Sequence, residues 1–130
     1  MANIDAKWEF SSADSISADA YSENVVDLGA NVGSNPQIGG LFLNVVMTTG
    51  FTSCTSIDVL LRSGTGTDGT DLNAGVFEVM SALVVSSDRD LATDGLVLVS
   101  ASVPLAIVAR YLQVYYDVDT PSGTAVIDAW

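Results

Sequence analysis

Apolar and polar residues alternate along much of this chain, with the period of two that marks strands having one face in a core. Residues 41–47 put Leu41, Leu43, Val45 and Met47 on one side. Residues 56–62 do the same with Ile57, Val59 and Leu61, leaving Asp58 and Arg62 outside. Residues 110–118 place Leu112, Val114, Tyr116 and Val118 inward, with Tyr111, Gln113, Tyr115 and Asp117 outward. Shorter runs at 24–29, 76–84, 96–99, 104–109 and 124–130 read as strands too. Glycine, asparagine, serine and aspartate punctuate these runs, and no helical period separates them. The pattern predicts an all-β fold, a jelly-roll-like antiparallel β-sandwich of about eight strands, and removes the βαβ folds.

The first 22 residues break the pattern. The stretch SSADSISADAYS (residues 11–22) is small, polar and nearly aperiodic, which predicts an extended N-terminal arm over 1–22 and a sandwich domain over 23–130. Trp8 and Phe10, two apart, share one face of that arm and either pack on their own domain or reach a neighbour. The expectation is an arm that is loose in the isolated protein and ordered against a neighbour after assembly. Residues 63–75, rich in glycine, threonine and aspartate, read as a mobile surface loop.

At 130 residues and 48% hydrophobic composition the chain has material for one domain with a substantial core. Charge narrows the function. Sixteen acids face four basic residues, a net charge of −12 that repels nucleic acid and anionic lipid alike. The N-terminal residues show no basic-then-apolar leader, and the greasiest stretch, 96–109, is too short to span a bilayer and contains Pro104. The single cysteine, Cys54, reads as a small buried hydrophobe in a reducing compartment. With no histidine there is no Ser-His-Asp or Cys-His arrangement and no histidine metal site. Asp68 and Asp71, and separately Asp88, Asp90 and Asp94, sit beside glycines or other turn formers and read as turn aspartates rather than a calcium loop. No catalytic, cofactor or metal site is therefore expected.

Two aromatic rings around an amide, at Tyr111, Gln113 and Tyr115, suggest an interaction platform for another protomer, another protein or a sugar. Trp130 is out of phase with Ala125, Ile127 and Ala129, so it either folds back or meets a partner. In order along the chain, residues 10–30 with Val26-Asp27-Leu28-Gly29, the strands LFLNVVMTTGF and TSIDVLLRSG, the segment Arg110-Tyr111-Leu112 and the closing GTAVIDA resemble the Bbp16-like capsid cement proteins of tailed bacteriophages. The resemblance implies a jelly-roll sandwich on the outer surface of an icosahedral capsid, made in the host cytoplasm. It further implies a dimer or trimer that clamps neighbouring major capsid subunits, with no catalysis or cofactor. The interface candidates are then Trp8, Phe10, Tyr111, Gln113, Tyr115 and Trp130. A lectin-like module that holds host glycans on the tyrosine face is the alternative.

Overall fold

A computed structural model describes residues 9–29, 41–104 and 108–130. Among them are eleven strands and no helix: β1 (Ser11–Ile16), β2 (Ala20–Tyr21), β3 (Val26–Asp27), β4 (Phe42–Thr49), β5 (Ser56–Gly64), β6 (Gly66–Thr67), β7 (Leu72–Ala74), β8 (Phe77–Val85), β9 (Leu96–Ser102), β10 (Tyr111–Asp119) and β11 (Ala125–Ala129). One sheet has the order β1-β11-β4-β9. The other has the order β2-β10-β5-β8, with β3 also paired to β10, and β6-β7 is a separate hairpin.

Counting β2 and β3 as one interrupted strand, and setting the hairpin aside, leaves eight principal strands. Their sheet orders become 1-8-3-6 and 2-7-4-5. First pairs with eighth, second with seventh, third with sixth and fourth with fifth, as when one long antiparallel hairpin is rolled up. That is a jelly roll. The faces predicted from the alternation are the faces buried: Leu43, Val45, Met47, Ile127 and Ala129 of one sheet pack against Ile57, Val59, Leu61, Leu112, Val114 and Tyr116 of the other.

The N-terminal arm needs correction from Phe10 onward. Phe10 is 6% exposed and belongs to the core. Its N–H donates to the Ala129 carbonyl (2.8 Å), and its own carbonyl accepts from Asn24 (3.0 Å). The polar run that follows is β1, an edge strand laid along β11 with Ile16 opposite Ala125. A bulge between Ser11 and Asp14 accommodates Ala13 at φ 49°, and the Ala13 N–H donates to Asp128. Ser11, although polar, is buried with its hydroxyl 2.8 Å from that of Tyr116. Backbone pairing and this hydroxyl pair hold β1 where apolar alternation is missing. Trp8 lies outside the described residues.

The 63–75 loop is corrected as well. Its middle is the β6-β7 hairpin, closed by a turn in which Asp68 accepts from the backbone N–H of Thr70 and of Asp71. The strand expected at 104–109 falls partly on residues 105–107, outside those described, and Pro104, Val108 and Ala109 carry no strand.

Candidate functional site

The outward face of β10 was the platform expected from sequence, and its residues do point away from the core as the alternation requires. They do not form one open surface. Gln113 is fully buried, 0% exposed. Its Oε1 accepts from the Leu72 N–H (3.1 Å), and its Nε2 donates to the carbonyls of Ser22 and Thr70 (both 2.9 Å) and to Asp71 Oδ1 (3.0 Å). The hairpin has folded over the strand from one side and the Ser22 segment from the other. The amide satisfies backbone groups that both coverings would otherwise leave stranded. Gln113 is thus removed from the candidate interface, because it is buried and both its amide nitrogen and its oxygen are bonded inside the fold.

Tyr115 is half-buried beside Tyr21, the ring centroids 4.8 Å apart at 67°. The Arg62 guanidinium lies 4.3 Å above the Tyr115 ring centre, and its Nη1 donates to the Tyr21 hydroxyl at 3.1 Å. One of four basic residues in a very acidic chain is thereby held against two aromatic faces. Sequence reading placed Arg62 on this face but missed Tyr21, which is brought there by the pairing of Tyr115 with Tyr21. Tyr111 stands apart, half-buried, with the Arg110 guanidinium 5.1 Å from its ring centre.

Further along the same face Asp58 sits directly between Asp117 on β10 and Leu83 on β8. One oxygen of Asp58, Oδ1, is buried without a hydrogen-bond partner among the described residues. Burial first, then the negative charges of Glu78 and Asp117, raise the Asp58 pKa. A raised carboxyl binds its proton more tightly in the folded than in the unfolded chain. Its ionisation therefore costs stability as pH rises through the folded value, and the cost vanishes below the unfolded value of about 3.9. Asp58→Asn is expected to stabilise the protein by up to about 1 kcal/mol at neutral pH. No such gain is expected near pH 3, and urea unfolding at both pH values checks the sign.

The two most specific sequence markers meet in space. Asp27 of β3 pairs with Tyr111, and Val26 with Leu112. The Arg110 guanidinium binds the Asp27 carboxylate through two contacts, Nε–Oδ1 at 2.9 Å and Nη2–Oδ2 at 3.1 Å. Leu28 N–H donates to the Arg110 carbonyl (2.9 Å), and Gly29 N–H to Asp27 Oδ1 (2.8 Å). Gly29 turns the chain at φ 82°, where a side chain is disfavoured. Chiefly through its hydrogen bonds with Arg110, Asp27 has a lowered pKa. Both groups are about half exposed, so the pair sets the register of the β3 segment more than it stabilises the fold.

At one end of the sandwich a cavity of about 210 Å³ opens between the sheets. Phe10 and Trp130 line it together with Phe42, Leu43, Leu61 and Leu112. Trp130 continues β11 by exchanging backbone hydrogen bonds with Asn44 (2.8 and 2.9 Å) and is half-buried. Phe42, 55% exposed, lies diagonal to it on the outer face of β4.

The acidic loops serve structure. Asp90 accepts from Ala92 N–H within its own turn, and Asp94 accepts from Gly50 N–H, tying that loop to the residue after β4. Among the described residues no three acidic, cysteine or histidine side chains gather as a metal site would require. Cys54 is buried, its thiol donating to the carbonyls of Ser56 and Asp119, and burial raises its pKa. A thiol held protonated in this way is a poor nucleophile. Compared with known proteins, the chain matches no family model and no curated sequence.

Proposed function

We propose that the chain is a capsid cement protein that binds the outside of an icosahedral bacteriophage shell and clamps neighbouring major capsid subunits. The observation that carries the reading is the junction of β3 and β10. The two stretches on which the resemblance rests most, Val26-Asp27-Leu28-Gly29 and Arg110-Tyr111-Leu112, form one hydrogen-bonded unit. They lie 83 residues apart in the chain, and the Arg110–Asp27 contact brings them to one place in the fold. The jelly-roll order accords with what the resemblance implies. Apolar side chains exposed on the outer faces, Phe42 and Val97 on one sheet and Leu83 on the other, suit a protein that meets other protein surfaces. Many copies on a lattice gain by avidity, so each contact can be modest.

The lectin-like alternative needed Tyr111, Gln113 and Tyr115 as one open platform. Gln113 is consumed internally and Tyr115 lies under Arg62, so no observation favours that alternative.

Purified particles are expected to carry the protein in copy numbers that match the shell's symmetry. Particles lacking it should lose packaged DNA at a lower temperature, read by dye access during heating. Recovery of the protein only from infected-cell lysate, never on particles, overturns the proposal.

A further inference from the structure

Among the described residues, no strand pairs with the outer edge of the five-stranded sheet. β8 runs for nine residues, and among the described residues its only strand partner is β5. An antiparallel strand offers the N–H and C=O of alternate residues to each side, so half of the β8 backbone groups face away from β5. Natural edge strands are usually short, bulged, or marked with lysine or proline, because such a row of free groups is a template for another strand. Of the other edges, β2 is two residues long, β1 is broken at Ala13, and β9 is interrupted by a bulge between Val97 and Val99. β8 does not follow that rule beyond its first residues. After a register shift near Glu78 it runs Met-Ser-Ala-Leu-Val-Val, with no basic residue and no proline.

Its side chains give the same indication. Met80 and Ala82 face the core but are only partly buried, because the sheet ends beside them. Leu83, on the outer face, is 63% exposed. Charge decides which partner fits. Two copies, each of net charge −12, can meet only where their surfaces lack carboxylates, and the sole charge on β8 is Glu78.

We infer that β8 pairs antiparallel with β8 of a second copy about a twofold axis near Ser81, joining the two sheets into one. This register sets Met80 opposite the partner's Ala82 in the core-facing row, where each completes the other's burial. It separates the two Glu78 carboxylates by six residues of strand, about 20 Å, beyond the screening length of about 8 Å at physiological salt. The interface closes on itself, so association stops at two copies. The inference concerns the free protein and does not depend on shell binding.

Sedimentation of the full chain over about a hundredfold concentration range is the test. A dimer is expected, one that tightens as salt rises because the bodies repel. The double variant Ser81→Lys/Leu83→Lys changes two exposed positions and should keep the fold, checked by circular dichroism. It should weaken dimerisation by about tenfold or more. Val97→Lys, on the edge strand of the other sheet, should leave the dimer unchanged. Ser81→Cys should form a disulfide between copies under mild oxidation, since directly opposed residues bring their Cβ atoms within about 5 Å. A protein that stays monomeric, or that forms trimers, overturns the inference. So does a dimer that resists the double lysine variant, is lost equally with Val97→Lys, or fails to cross-link through position 81.

Discussion

Gln113→Ala is expected to destabilise the protein by about 3 kcal/mol or more, a fall of roughly 10 °C in melting temperature for a domain of this size. The replacement removes an acceptor from the Leu72 N–H and a donor from the Ser22 and Thr70 carbonyls and from Asp71. Each buried group left without a partner costs about 1–3 kcal/mol, and water entering the vacated space recovers part of that. The loss should concentrate where the amide acts. Hydrogen exchange in β6-β7 and around Ser22 should accelerate more than in β4 or β11, which Gln113 does not touch. Gln113→Glu discriminates further: its carboxylate can still accept from Leu72 N–H but would face two carbonyls and Asp71 without a proton to donate. At neutral pH it should be at least as damaging as alanine. A cost below about 1 kcal/mol for both variants would show that the network adds little.

Phe10→Ala is expected to cost about 3–5 kcal/mol, the usual penalty for emptying a buried aromatic position. The arm expectation gave the opposite answer: an arm loose in the free protein would tolerate the change and reveal it only on assembly. The ring lies in the core beside Val26, Leu43 and Leu112, and its backbone bridges Ala129 and Asn24. The effect should therefore appear in the isolated protein, by urea or heat, with no partner present. Phe10→Leu, which keeps most of the apolar bulk, should recover more than half of the loss. An alanine variant as stable as the parent would return Phe10 to the role of an interface residue.

These two expectations turn on the places where sequence reading fell short, and the reasons differ. Gln113 was correctly placed on the outward side of β10, since period two decides direction. Outward does not mean exposed. Its burial depends on the hairpin, 41 residues away at Leu72, folding across it, a contact that no local pattern encodes. A neutral amide among tyrosines, where charges are the norm, was the available signal. β1 was missed because Ser11–Ile16 has a single large apolar residue and so no alternation to read. Strand pairing can compensate, because an unpaired neighbour such as β11 recruits any extended segment that satisfies its backbone groups.

The alternation of apolar residues by itself determined which faces of β4, β5, β10 and β11 form the core, and hence an all-β sandwich. Burying those side chains is the dominant favourable term, and a slip of one residue would expose them all. Charge likewise determined that this surface repels polyanions. Tertiary structure alone decided which strands neighbour each other, which outward residues are covered, and that Asp27 meets Arg110. Those outcomes rest on hydrogen bonds and ion pairs between residues far apart in the chain. Such contacts become favourable only after the core has drawn the segments together and removed them from water.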